Sequence, residues 1–157
     1  MSVNRGKQFE NKLAEDFKRI PNCFIYRLHD QVSGNKTTSQ NPCDFIVYMN
    51  PSLFLIEVKT ISGNTFPINN FIQFERLQRY KGIKGVYRGV IIWFTEKEKI
   101  IYVPVKTIEK MLTDGKKSVN IRTIDEDGYE YIEIPSIKKR VFLDSDYSVL
   151  LDLPQGW

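Results

Sequence analysis

The chain has 157 residues, room for one domain with a substantial core but not for two independent ones. Hydrophobic residues make up 41% of it, which excludes a disordered chain, and no apolar run is long enough to span a bilayer. The formal charge of +4 is a mild basic excess that selects no partner by its total alone.

Read in chain order, the opening Met-Ser-Val-Asn-Arg-Gly-Lys-Gln has no apolar region of the kind a secretion signal needs, so cytoplasmic residence is expected. Gly6 to Ile20 carries Phe9, Leu13, Phe17 and Ile20 on one helical stripe, ended by Pro21-Asn22. Cys23 to Leu28 alternates as a strand, and the polar stretch from Asp30 to Asn41 reads as a loop. Asp44 to Met49 and Leu53 to Thr60 are two apolar strands separated by the turn Asn50-Pro51-Ser52. Asn69-Asn70 offers a helix cap before Phe71 to Tyr80, with Phe71, Phe74 and Leu77 facing a core. Gly89 to Thr95 is nearly all apolar and predicts a central strand buried on both faces. Ile100 to Val103 adds a strand, and Pro104 to Leu112 a short helix stopped at Asp114-Gly115. Val119 to Ile124 and Tyr129 to Ile134 flank an acidic turn and predict a hairpin. That turn, Asp125 to Gly128, lacks the length and closing glutamate of a calcium loop. The order of elements implies an α/β fold with a mixed central β-sheet flanked by helices, as one domain over residues 1–157 with a core of about 4–112 and a C-terminal hairpin extension over about 116–157.

Cys23 and Cys43 are far apart and His29 is the single histidine, so zinc sites of the usual spacing and Cys–His nucleophile pairs find little support. Cys43 is expected to be reduced and half-buried. Basic residues cluster twice, as Arg76, Arg79, Lys81, Lys84 and Arg88 and again as Lys138, Lys139 and Arg140. Such patches attract phosphates without regard to sequence, and they also occur as plain solvated faces.

The chemistry concentrates in NPCDFIVYMNPSLFLIEVKT. Side chains alternate along a strand, so Glu57 and Lys59 share a face while Val58 enters the opposite layer. A hairpin would bring Asp44 beside them. Charges flanked by Phe45-Ile46-Val47 and Phe54-Leu55-Ile56 are costly unless something compensates them. Mg²⁺ compensates such charges with few carboxylates, keeping waters for chemistry. Asp44, Glu57 and the Val58 carbonyl could hold it, with Lys59 orienting water or neutralising charge on phosphorus.

Asp44, twelve intervening residues and Glu57-x-Lys59 resemble the PD-(D/E)xK nuclease superfamily with its restriction-endonuclease-like core. The chain is similar, more narrowly, to RecU-type Holliday junction resolvases and their phage relatives. That likeness is carried by Asn4-Arg5-Gly6 with Phe9-Glu10, by Ser62 to Asn70 with Phe66-Pro67, by Gln73 and Leu77, and by Gly89 to Phe94 leading to Tyr102-Val103-Pro104. The resemblance implies a homodimeric endonuclease using Mg²⁺, or Mn²⁺ in its place, that cuts paired strands of a four-way DNA junction in recombination and repair. It would bring Glu10 to the metal beside Asp44 and Glu57, place Gln73 beside the active site, and make Arg5 and Lys7 phosphate contacts, with Arg76 and Arg79 also available to DNA. As single residues, each of these could equally be a solvated side chain. Pro42 stands two residues before Asp44, and the segment from Asp30 to Asn41 offers only a stub where such resolvases often project a stalk into the junction. Two other functions fit the same residues: a restriction-like or repair nuclease on duplex or flapped DNA, and a non-catalytic DNA-binding module.

Overall fold

The computed structural model describes residues 4–29, 32–33, 36–37, 41–154 and 156–157, with backbone only for 32–33 and 36–37. Helix α1 (Arg5–Lys18) begins where the Asn4 side chain accepts the Lys7 N–H at 3.1 Å, and it buries Phe9, Leu13 and Phe17. Strand β1 (Cys23–Arg27) follows, then the small antiparallel pair β2 (Val32–Ser33) and β3 (Lys36–Thr37), β4 (Phe45–Met49) and β5 (Ser52–Ile61). A short strand β6 (Thr65–Pro67), a 3₁₀ turn at Ile68–Asn70 and helix α2 (Phe74–Gln78) lead into β7 (Val86–Phe94). Next come β8 (Lys99–Pro104), α3 (Val105–Thr113) and β9 (Ser118–Asn120). Strands β10 (Ile132–Glu133), β11 (Ser136–Lys138) and β12 (Leu143–Ser145) precede a 3₁₀ helix, Tyr147–Asp152.

Six strands form one mixed sheet in the order β1-β4-β5-β7-β8-β10, with β5 and β7 its parallel pair. A parallel pair needs a crossover, and β6, the 3₁₀ turn and α2 supply it on one face. Alternation divides the core in two. Phe54, Ile56 and Val58 of β5 meet α1, Tyr147 and Leu150 on the first face. Leu55 of β5 and Val90, Ile92 and Phe94 of β7 meet Phe66, Phe71, Leu77 and α3 on the other. Strand β7 is buried from Tyr87 onward, as its unbroken apolar run predicts. The α/β architecture and the β4–β5 hairpin agree with the sequence reading.

Several local expectations fail for identifiable reasons. The helix expected from Phe71 to Tyr80 shrinks to α2. Phe71 leaves helical geometry at φ −89°, ψ 71°, with its N–H given to the Ile68 carbonyl and its ring sunk in the core. Asn69-Asn70 thus lies inside the 3₁₀ turn, and Gln73 stands at the N-cap of α2 instead of within it. The hairpin of Val119–Ile124 with Tyr129–Ile134 does not form. Strand β9 pairs with β6, and β10 extends the large sheet along β8. The chain between them coils through the Ile124, Asp127 and Tyr129 N–H bonds to the Asn120, Thr123 and Ile124 carbonyls, which buries Ile124 and Tyr129. Open edges on β6 and β8 win over a local hairpin because each also completes a packed face. The hairpin of this region is β11 with β12. In the expected loop, Asp30 and most neighbours up to residue 40 lie outside the described residues, while β2 and β3 pair. Cys43 is fully buried rather than half-buried. Of three apolar residues open to either a core or a contact role, Tyr87 is core, Phe24 is exposed and Trp157 is intermediate.

Asp16 binds the C-terminal region to α1. Its buried carboxylate accepts the Ser145 N–H at 3.1 Å and pairs with Lys12. Lys12 also reaches Asp144 at 2.7 Å, and Phe17 stacks on Tyr147 with ring centroids 4.4 Å apart.

Gly89 is where β7 admits the Tyr102 ring of β8. A Cβ there would lie 2.4 Å from that ring, inside any tolerable contact. Gly89→Ala is expected to destabilise the protein by about 1–3 kcal/mol, the usual range for overpacking. Gly63→Ala, where a Cβ meets nothing within 4 Å, serves as the neutral control. Urea unfolding of both variants checks this, and equal stabilities would refute the close approach.

Candidate active site

The site forms where two neighbouring strands have unequal lengths. Strand β4 meets β5 from Phe45↔Ile56 back to the turn, whereas β5 runs on to Ile61, paired among the described residues only with β7. Beyond Asp44, one edge of β5 therefore has no strand neighbour among the described residues. Asp44 stands at that step with its main chain held on both sides: Leu28 N–H reaches its carbonyl at 2.8 Å, and its own N–H reaches the Ile56 carbonyl at 3.1 Å. Its side chain takes over where the ladder stops, accepting the Val58 N–H at 2.8 Å. The N–H and C=O of a strand residue point to the same edge, so the Val58 carbonyl also faces this step.

Glu57 lies across from Asp44 and is 1% exposed. Its Oε1 accepts from Lys59 Nζ at 2.8 Å, and its Oε2 is buried with no hydrogen-bond partner among the described residues. Burial first, and then the Asp44 charge, push the Glu57 carboxyl up to about 8 despite Lys59. Burial also raises Asp44, opposed by the Val58 N–H and by Lys59. An oxygen-only donor set with one orphaned oxygen suits a hard divalent cation. Neighbouring Cys43, whose thiol burial pushes up to about 12, is directed instead to the Phe45 carbonyl at 3.2 Å. Among the described residues no group of three His, Cys, Asp or Glu is placed to hold a metal, so the fitting set is Asp44, Glu57 and the Val58 carbonyl.

The remaining candidates scatter. Glu10 is ion-paired with Arg27, and burial raises its pKa. Its helix covers the first face, whereas Asp44, Glu57 and Lys59 alternate toward the second. Glu10 still feels the Asp44 and Lys59 charges. Arg27 was missed by the sequence reading, although it occupies the inward position of the Cys23–Ile25–Arg27 alternation, the signal that could have found it. Gln73 has a buried Oε1 without a partner among the described residues, as do Thr60 Oγ1 and Asn64 Oδ1, neither of which was singled out. Arg5 lines a cleft of about 420 Å³ with Val58, Lys59, Thr60 and Thr95. Lys7 and Arg79 are exposed. Arg76 instead donates to the Asn41 carbonyl at 3.0 Å, tying α2 to the segment before Asp44. In the second basic cluster Lys138 pairs with Glu98 and Lys139 with Asp144, leaving less free charge than the sequence implies.

A pH signature follows from Glu57. Its raised pKa contributes stability fully below the ordinary carboxylate value of 4.5, and that contribution is lost as pH rises through about 8. Glu57→Gln has no such loss. In EDTA, the variant is expected to gain melting temperature over the wild-type protein as pH rises from about 5 to about 8. A Tm difference independent of pH would contradict the buried, protonated carboxyl.

The geometry agrees with comparisons to known proteins. No curated protein sequence matches the chain significantly. The structure is similar to that of the Hjc protein of Archaeoglobus fulgidus, described as a Holliday junction resolvase from an archaeal hyperthermophile. The TM-score is 0.53 at 18% identity, over 77% of this chain and 93% of that one. The likeness is one of fold. The family model of Recombination protein U, RecU, matches residues 10–144, thus spanning the β4–β5 step and reaching into β12. The chain belongs to the RecU family.

Proposed function

We propose that the protein is a Mg²⁺-dependent, structure-selective DNA endonuclease that cleaves four-way junctions in recombination and repair. The observation that carries the chemistry is the Glu57 carboxylate, buried opposite Asp44 with one oxygen unsatisfied among the described residues. The junction substrate is supported by RecU membership and by the fold shared with a Holliday junction resolvase.

In this reading Asp44, Glu57 and the Val58 carbonyl hold the cation. When bound, it supplies Lewis acidity at the scissile phosphate and lowers the pKa of bound water; Mn²⁺ can replace it. Lys59, 2.8 Å from Glu57, orients the attacking water and offsets charge developing on phosphate oxygens. Gln73 accepts from the water through its Oε1, free among the described residues. Glu10, with Arg27, tunes the field at the step. Arg5, at the cleft, and Lys7 and Arg79, both exposed, bind backbone phosphates; Arg76 serves that purpose only by releasing Asn41. Two opposed nicks on a two-fold substrate are made most simply by a C₂ homodimer. Among the described residues no helix is long and apolar enough to cross a membrane, and a DNA-processing role places the protein's work in the cytoplasm.

The short 30–41 segment favours a second reading, a nuclease on duplex or flapped DNA, because it leaves little chain to enter a junction centre.

Asp44→Asn and Lys59→Ala are each expected to slow Mg²⁺-dependent junction cleavage by about 100-fold or more, with junction affinity changed less than about threefold. Near-wild-type turnover in either variant would remove it from the site. At matched salt and Mg²⁺, a four-way junction is expected to be cut faster than linear duplex of the same sequence; equal rates would favour the second reading. Sedimentation equilibrium is expected to give twice the 18.4 kDa chain mass, and a monomer at cleavage-competent concentrations would exclude the dimer.

A further inference from the structure

A second cavity, of about 500 Å³, lies at the far end of β5 from the catalytic step. Ser52 lines it, while Lys59 lines the cleft at the other end. Seven residues of strand separate the two, about 23 Å at the usual rise. The two sites are therefore distinct.

Charge in this cavity is one-sided. Lys81, Lys84, Arg88 and Lys106 line it with a single acidic side chain, Glu109. Lys81 pairs with that carboxylate at 3.2 Å, and Lys106 pairs with Glu130 at 2.6 Å. Lys84 is exposed and has no ion pair among the described residues. Arg88 is only 7% exposed and projects from β7. Its Nη1 donates to the Leu77 carbonyl at 3.0 Å and to Gln78 Oε1 at 3.4 Å. Both partners are neutral, and no carboxylate among the described residues lies within ion-pair distance. Burial penalises this guanidinium, Glu109 offsets that only from beyond ion-pair distance, and an anion entering the cavity would offset it further.

Among the remaining lining residues Trp157 offers an aromatic ring, with Lys106 Nζ 4.9 Å from its centroid. Cationic and aromatic walls in one concavity suit a phosphate group attached to a flat ring, and the volume lies within the range of small-ligand sites. A DNA backbone offers the same phosphate chemistry, but a rigid duplex rides on surfaces and would not reach a guanidinium so deeply buried. We propose that this cavity binds a nucleoside phosphate, with its phosphate on Lys84 and Arg88 and its base against Trp157. The assignment does not depend on the nuclease reading, because its readout is binding without cleavage.

Adenosine 5′-diphosphate, inorganic phosphate and a short DNA duplex, each added to the full chain in EDTA, test the proposal by NMR of the two tryptophan indoles. ADP is expected to shift the Trp157 resonance saturably and leave that of Trp93, buried in the core, in place. Inorganic phosphate is expected to compete. Lys84→Glu, at an exposed position that leaves the melting temperature unchanged, is expected to weaken ADP binding by about tenfold or more. No saturable shift up to about 10 mM ADP, failure of phosphate to compete, or equal affinity in Lys84→Glu would overturn the proposal. A Trp157 shift produced by the duplex but not by ADP would overturn it in favour of a backbone contact.

Discussion

The site depends on one hydrogen bond, from the Val58 N–H to the Asp44 carboxylate, at the place where β4 stops and β5 continues. A strand edge without a neighbour leaves donors and acceptors that must find partners. Here a side chain provides the partner for the first exposed donor, and the same side chain is thereby held opposite Glu57. The step in the sheet creates the space, and the hydrogen bond sets the aim of the carboxylate that faces it. Glu57 needs no special backbone; ordinary strand alternation turns it toward the face Asp44 has reached.

Around that step the protein is stiff in the way a preorganised site requires. Strand β5 lies against β7 along nearly its whole length, and β7 is buried on both sides. Helix α1 is secured below by Phe9, Leu13 and Phe17, and from the C-terminal side by the Asp16–Ser145 bond. The contact from Arg76 to Asn41 fastens the segment that leads into Asp44. A cluster that in the linear chain resembles a surface for DNA thus divides its work. Arg76 braces the site, Arg88 sits inside the second cavity, and Arg79 and Lys84 remain exposed.

Charge burial sets the chemical character of the two cavities, with opposite sign. At the β4–β5 step, burial and then the Asp44 charge outweigh the single nearby lysine and push the Glu57 carboxyl up to about 8. At the far end of the same strand, cationic side chains outnumber the one acidic side chain, Glu109. Each imbalance is tolerable because it is local and open to a ligand of the missing sign.

Long-range patterns were legible in the sequence by itself: the helical stripe of α1, the all-apolar run of β7, the β4–β5 hairpin, and with it the meeting of Asp44, Glu57 and Lys59. These follow from periodicity, which local sterics and solvent impose before any tertiary contact exists. Tertiary structure alone decided the rest. Phe71 leaves the predicted helix because its ring is needed in the core, and β9 and β10 abandon each other for open edges that also complete a face. The family resemblance would bring Glu10 to the metal, yet its helix packs on the other face of the sheet, where Arg27 pairs with it and only the Asp44 and Lys59 charges reach it. Arg88 reads as one more surface cation in a basic run and is buried by strand pairing. Which partner a charge meets depends on the layer its element occupies, and layers are set by packing between segments far apart in the chain.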